Sequence, residues 1–323
     1  MLNPTPKKKL MILANRLETY VRRLTHSHED VSGVPPTIDC ASHQDFLKLC
    51  EQNSLEQARI FDIESSLIQE KEQFGVRGHC VVCNMRMTFK VDYQYSYAMW
   101  NGKPVPNWRE RLVCQECGLN NRMRAAFGFL KTIARPADAI YLTEQITLLF
   151  PAVARLFPNT VGSEFLRDGT PRGMMNAAGI RHEDATCLTF QDASFDCIGT
   201  FDVLEHVPDY RRALAEFHRC LRPGGMLLMT VPFDVHAPAT LIRAVVEKDG
   251  SIRHLHPPEY HGDPLSKDGV LCFHNFGWSF LDDMKQVGFK DACLSFYWSR
   301  QLGYLGGYQF VIKASTPARA AEA

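Results

Sequence analysis

Near the start of the chain, Leu10, Leu13, Leu17, Tyr20 and Leu24 recur at alternating steps of three and four, which lines them along one stripe of a helix. Gly33 and Pro35-Pro36 make His26 to Thr37 read as a linker, and Asp45 to Phe74 carries few breakers and predicts further helix. These N-terminal helices are expected to serve as scaffold or as the contact of a homodimer. From Ala139 the rhythm changes. Short apolar runs at Ala139–Thr143, Thr160–Gly162, Ile180–His182, Phe195–Thr200 and Met226–Val231 alternate with helical stretches, among them Asp209–Leu221, which predicts an α/β fold with a parallel sheet flanked by helices. A helix over Trp278–Val287 is followed by strands at Phe289–Trp298 and Gly307–Lys313 with a glycine-rich turn between them, so an antiparallel hairpin should close the sheet. Ser315–Ala323 reads as a disordered tail.

At 323 residues, 45% hydrophobic and 22% charged, the chain suits one large domain with a smaller appendage. It contains no apolar stretch near the roughly 18 residues that span a bilayer, so no membrane span is expected. The Lys7-Lys8-Lys9 run is followed by apolar residues soon broken by Asn15, Arg16 and Glu18, which is not an export-signal pattern. The 11 cysteines are therefore read as reduced thiols of a cytoplasmic protein. A formal net charge of zero argues against a general polyanion binder. The charge is uneven, however: residues 76–135 hold ten Lys/Arg against three Asp/Glu, a local +7, and residues 136–323 hold seventeen against twenty-two, a local −5.

Cys80-Val-Val-Cys83 and Cys114-Gln-Glu-Cys117 form two C-x2-C pairs thirty residues apart. Each pair can present two thiolates on one tight knuckle, and two facing knuckles supply the tetrahedral sulfur cage that zinc favours. Gly78, Asn84 and Gly118 suit the sharp turns beside them. A redox-active or merely buried set of thiols is the other reading. With all four positions filled by sulfur, such a Zn2+ would be structural. Arg109 and Arg111 beside Trp108, with Arg122 and Arg124, can meet phosphate or a nucleobase, or can instead balance the thiolates and pair with the acidic part of the chain.

Glu164 ends the second run of the α/β region, where a carboxylate can accept both hydroxyls of an adenosine ribose. Then come, in order, His182-Glu183-Asp184-Ala185, Ser194-Phe195-Asp196-Cys197-Ile198, Asp202-Val203-Leu204-Glu205-His206-Val207-Pro208 and Leu221-Arg222-Pro223-Gly224-Gly225. Through this series the chain resembles the class I S-adenosylmethionine-dependent methyltransferase superfamily, small-molecule type, over about Ala139 to Lys313. The resemblance implies a Rossmann-like seven-stranded sheet and S-adenosylmethionine as cofactor. It matches Asp184 to the acid at the adenine amino group, Ala185 to the backbone near the ring, Glu164 to the ribose acid, and Thr200 to Asp202 to the passage of the methionine portion. Leu221–Gly225 corresponds to the turn into the fifth strand. One departure stands out: the superfamily's glycine loop after the first strand is replaced by Thr143-Glu144-Gln145-Ile146-Thr147. Either the loop takes another path, with Glu144 or Thr143 meeting the amino-acid end of the cofactor, or binding is impaired.

His206, just past the fourth strand, is a candidate base for an acceptor hydroxyl, with Glu205 orienting it or a metal; alternatively it caps the following helix. Pro232–Asn275 is a long insertion holding five of the twelve histidines, His236, His254, His256, His261 and His274, and insertions of this kind shape acceptor pockets. A similar segment, followed by Phe273-His274-Asn275-Phe276-Gly277-Trp278, is found in methyltransferases associated with bacterial glycan assembly. The expected organisation is an N-terminal helical region over 1–75, a four-cysteine module over 76–135, a methyltransferase domain over 136–314 and the tail over 315–323. The expected function is O-methylation of a small hydroxylated or saccharide acceptor. Two other readings stay open: an RNA methyltransferase using the basic module as its nucleic-acid surface, and a silent methyltransferase-like binding protein.

Overall fold

The computed structural model describes residues 34–262 and 268–318. The stripe Leu10–Leu24 and most of the linker lie outside the described residues.

The described chain opens with a three-residue strand, β1 (Ile38–Cys40), and two helices, α1 (His43–Gln52) and α2 (Ser54–Leu67). Ser42 caps α1 by accepting from the amide of Asp45, so the helix begins where the first free N–H groups need an acceptor. Phe46 and Leu49 are its buried face, and the Phe46 ring stacks on Phe296 at 5.5 Å. The expected helix over Asp45 to Phe74 is thus two helices that stop at Leu67, and Phe74 belongs to a strand. Glu64 ties α2 to the rest of the protein: it accepts from Trp298 Nε1 at 2.8 Å and from the Gly306 amide at 2.7 Å.

The cysteine-bearing segment is a small β-structure. β2 (Gln73–Cys80) and β3 (Met85–Asp92) form an antiparallel hairpin, β4 (Ala98–Trp100) and β5 (Lys103–Val105) form a second, and β6 (Val113–Cys114) pairs with β3. Asn101 and Gly102 turn the second hairpin with φ of 47° and 74°, the pair of positive values that a tight two-residue turn requires. A single helical turn, α3 (Trp108–Arg111), leads to the second knuckle, and α4 (Asn121–Ile133) follows, capped by Asn120. Helix α4 is buried along most of its length, including Asn121, Arg124 and the run Ala125 to Leu130. One continuous core joins Val76, Phe89, Trp108 and Leu112 of this segment to Leu142, Phe201, Leu228 and Val311 of the large sheet.

The α/β region supplies β7 (Ile140–Leu142), α5 (Leu149–Leu156), β8 (Thr160–Gly162), β9 (Phe195–Phe201), α6 (Tyr210–Cys220) and β10 (Leu221–Thr230). An insertion of short strands follows: β11 (Leu241–Ile242), β12 (Ala244–Val246), β13 (Ile252–His254), β14 (Tyr260–His261), β15 (Val270–Leu271) and β16 (His274–Asn275). They pair as β11 with β16, β12 with β13 and β14 with β15. Helix α7 (Ser279–Val287) and the hairpin β17 (Lys290–Ser299) and β18 (Tyr304–Ser315) complete the fold.

The main sheet has seven strands in the order β1-β17-β18-β10-β9-β7-β8. β8, β7, β9 and β10 are parallel, β18 is antiparallel to β10, and the closing hairpin is as expected. Two expectations need correction. The strand at Ile180–His182 shrinks to one parallel bridge, Glu164 with His182, because the flanking segment turns back on itself through a bridge between Met175 and Arg181. The tail does not begin at Ser315: that residue ends β18, and Thr316 is buried, donating to the Arg222 carbonyl at 2.5 Å and accepting from the Gly225 amide at 3.0 Å. The seventh strand of the sheet, β1, escaped sequence reading because three residues are too few to display a period.

Candidate cofactor and acceptor site

Parallel strands direct their carboxyl ends to one edge of the sheet, and ligands of open α/β folds bind there. Thr143 and Glu144 follow β7, Glu164 follows β8, and Asp202 follows β9. The turn after β7 takes its own path. Glu164 Oε1 accepts from the amides of Gln145 at 2.7 Å and Ile146 at 2.9 Å, so a carboxylate gathers the turn where glycines would otherwise let it collapse. Gln145 reaches across, accepting from the Arg181 amide and donating to the Gly179 carbonyl. The glycine this arrangement needs is Gly162 in β8, where an added Cβ would stand 2.8 Å from the Glu144 carbonyl oxygen and 2.5 Å from the Phe150 ring.

Glu144 itself is buried, its Oε1 lacks a hydrogen bond of normal geometry, and the Thr147 hydroxyl, three residues on, is the polar side chain beside it. Burial pushes the Glu144 carboxyl up to about 7. Under-satisfied buried acceptors are uncommon in native proteins, and a carboxyl in that state has capacity left for a further donor.

Asp202 is the opposite case. Its backbone is left-handed, with φ of 55°, and every part of its carboxylate is engaged. Arg109 forms a two-pronged pair with it at 2.8 and 2.9 Å, Arg122 approaches at 3.1 Å, and Thr230 donates at 2.8 Å. Burial would raise this carboxyl, but the two guanidinium groups outweigh it and hold the group well below the usual carboxylate range. Both arginines come from the cysteine-bearing segment. The other two arginines of that segment are also engaged: Arg111 pairs with Asp92 at 2.5 and 2.7 Å, and Arg124 is fully buried, donating to the carbonyls of Leu302 and Gly303 with its guanidinium 3.9 Å from the Phe89 ring centre.

Asp184 Oδ1 accepts from the Thr186 amide and hydroxyl at 2.8 and 2.7 Å, a local turn that fixes the side chain at the end of the segment facing β8. Ala185 packs at the margin of the core shared by Tyr141, Ile198 and Leu204.

A cavity of about 790 Å³ opens beside Arg109. It runs between α1 and α2, the β4–β5 hairpin, the chain leaving β10 at Val231–Val235 and the start of β18, with Phe46, Phe61, Trp108 and Phe233 among its walls. This is the size of a small-molecule pocket, and the aromatic rings in its wall suit the flat face of a ring. His236 is the histidine among the residues lining it.

His206 does not line that cavity. It lies in a single 3-10 turn, Leu204–His206, with Nδ1 2.9 Å from the Leu271 carbonyl oxygen and Nε2 3.8 Å from Glu205 Oε1. Nor does it cap the following helix, since Asp209 does so by accepting from the Arg212 amide. Of the other insertion histidines, His254 and His256 are exposed, and His274 is buried with Nε2 3.1 Å from the Pro208 carbonyl oxygen.

The four cysteines Cys80, Cys83, Cys114 and Cys117 converge: Cys80 and Cys117 lie 3.8 Å apart and Cys83 and Cys114 3.7 Å apart, with all four sulfurs within 4.8 Å of one another. Left-handed Asn84 and Gly118, with φ of 51° and 75°, turn the chain just after each knuckle. A tetrahedral zinc with bonds of about 2.3 Å to sulfur sets its ligands roughly 3.8 Å apart, which these two separations match. All eleven cysteines are free of disulfides, and no helix among the described residues is long and apolar enough to cross a membrane.

Residues 154–229 match the family described as a methyltransferase domain. A demethylmenaquinone methyltransferase of Staphylococcus aureus is 49% identical over 126 residues, 38% of this chain and 47% of that protein. An uncharacterized 37.1 kDa protein in transposon TN4556 of Streptomyces fradiae is 51% identical over 56 residues, 17% of this chain and 16% of that protein. The chain thus spans less than half the length of these curated relatives. Among solved structures, an S-adenosylmethionine-dependent methyltransferase of Thermotoga maritima, described as a possible histamine N-methyltransferase, aligns over 61% of this chain and 91% of its own at 15% identity with a TM-score of 0.36. Residues 154–229 thus match a methyltransferase domain, and they lie within an α/β region built on a mixed seven-stranded sheet.

Proposed function

We propose that this protein is an S-adenosylmethionine-dependent methyltransferase that methylates a hydroxyl of a small acceptor, a sugar or another ring compound. The observation that carries the reading is the buried, under-satisfied Glu144 carboxyl on the Glu164-braced turn at the end of β7. A cationic ammonium such as that of the methionine portion satisfies such an acceptor, and its charge favours the ionised carboxylate. Glu164 braces the turn and borders the ribose, while Asp184 and the Ala185 backbone border the adenine. Asp202, already saturated by Arg109 and Arg122, acts by fixing the end of β9 and does not contribute a free carboxylate.

When bound, the cofactor supplies a methyl group already activated on a sulfonium, so the chain's own task is alignment and removal of one acceptor proton. The aromatic-walled cavity beside Arg109 would hold the acceptor, and His236, not His206, is the imidazole best situated to take its proton. The four cysteines would hold a structural Zn2+, since their spacing fits a closed tetrahedral sulfur site with no room for a reactive water. A nucleic-acid substrate is disfavoured because Arg109, Arg111, Arg122 and Arg124 all have acceptors within the protein.

Calorimetric titration with S-adenosylmethionine tests the reading. Micromolar binding, weakened tenfold or more (about 1.4 kcal/mol) by Asp184→Ala and by Glu144→Gln, is the expected result. A folded, zinc-loaded protein that binds no cofactor would overturn it and leave a binding role.

A further inference from the structure

The insertion and the turn after β9 bring together a second group of metal-type donors. His206, His261 and Cys272 each place a donor atom within 4.8 Å of the others. Glu205 stands among them: its Oε1 is 3.8 Å from His206 Nε2 and 3.6 Å from His261 Nδ1. Glu205 is fully buried, and neither of its carboxylate oxygens has a hydrogen-bond partner.

The outer contacts fix which nitrogens are available. His206 Nδ1 lies 2.9 Å from the Leu271 carbonyl oxygen, an acceptor only, so the proton belongs on Nδ1 and the lone pair on Nε2. His261 Nε2 lies 3.2 Å from Glu259 Oε1, so its proton belongs there and its lone pair on Nδ1. Both lone pairs therefore face a desolvated carboxylate, and the Cys272 thiol, whose Sγ stands 4.0 Å from His206 Nδ1, carries the proton that metal binding would release. A ligating histidine held by an oxygen on its far nitrogen is the usual outer shell of a metal site. Tetrahedral zinc with nitrogen, oxygen and sulfur ligands sets its donors roughly 3.3–3.8 Å apart. Two neutral imidazoles, one thiolate and one carboxylate also cancel a divalent charge, as a buried centre requires.

We propose that Glu205, His206, His261 and Cys272 form a second metal site, taking a borderline divalent ion of the zinc type and fastening strands β14 and β15 of the insertion to the turn after β9. Such a site is distinct from the four-cysteine cluster in ligands and position. The competing account of the same geometry is a proton: one histidine charged and paired with Glu205.

The full-length protein, purified with zinc in the medium and passed over a weak chelating resin, is analysed for metal by mass spectrometry. Two zinc ions per chain are expected in the wild type, and one in His261→Ala and in Cys272→Ser, with circular dichroism showing that both variants stay folded. Cobalt loading gives a second readout, because a site with one thiolate absorbs far less in the sulfur-to-metal region than one with four. Wild-type protein holding one zinc, or two zinc ions that both variants retain, would overturn the proposal in favour of the protonated pair. Metal content is measured with no cofactor or acceptor present, so this result and the cofactor titration succeed or fail separately.

Discussion

The cysteine-bearing segment and the turn after β7 flank the same edge of the sheet, yet they treat charged groups in different ways. In the segment, each of the four guanidinium groups meets an acceptor, and the pairs involving Arg109 and Arg122 converge on Asp202. On the turn, Glu144 Oε1 is buried without a hydrogen bond of normal geometry, with the Thr147 hydroxyl beside it. A satisfied network stabilises what it joins, whereas an unsatisfied one gives up stability for a ligand. Substitutions in the segment should therefore cost stability and spare cofactor affinity, and substitutions on the turn should do the reverse.

The sharpest way to break the contrast is at the knuckles. Cys83→Ser, or removal of metal with a strong chelator, should abolish cooperative unfolding of the native protein, since zinc contributes on the order of 10 kcal/mol to small sulfur-ligated modules and this one shares its core with the sheet. Thermal denaturation followed by circular dichroism reads this directly; an unchanged transition would mean that the cysteines are only buried thiols. Next in size is Arg109→Ala, which takes a two-pronged pair from the part-buried Asp202 and should cost about 3 kcal/mol in urea denaturation.

The turn should answer with the opposite sign. Burial raises the Glu144 carboxyl to about 7, so the folded state holds its proton where the unfolded state releases it. The favourable effect is whole below the ordinary carboxyl range and is lost as pH rises to about 7. Glu144→Gln should consequently be more stable than wild type at pH 8, by about 3 kcal/mol, with the gap closing near pH 5. In the same experiment, cofactor affinity of the wild type should strengthen as pH climbs through about 7, while the glutamine variant binds weakly and evenly at every pH. The smallest effect belongs to Arg111→Ala: loss of a part-exposed pair with Asp92 should cost about 1 kcal/mol and leave cofactor affinity unaltered. Salt-dependent RNA binding that this variant abolishes would instead revive a nucleic-acid role.

How much of this could be read from the chain follows from where each signal resides. The two knuckles were legible because a C-x2-C pair puts both ligands on one turn, so sequence spacing is already spatial spacing. The strands β7, β8, β9 and β10 were legible because strands covered on both faces read as unbroken apolar runs. The grouping of Glu205, His206, His261 and Cys272 was not, since its members come from three segments brought together by strands of two or three residues with no period to detect. The absence of glycine after β7 was visible, but its remedy, Glu164 gathering two amides, depends on a contact nineteen residues away. Likewise Arg109 was recognisable as a charged residue with two candidate tasks, and only the fold shows that its partner is Asp202, ninety-three positions on.

That partnership decides how the chain can be cut. A fragment starting after α4 would keep every strand from β7 to β10, but it would leave Asp202 in its left-handed bend with neither arginine to answer its charge, and would strip Leu142 and Phe201 of the residues that cover them. The small cysteine-bearing segment is consequently no detachable ornament on a self-sufficient domain, because it furnishes one wall of the edge where the chemistry would occur.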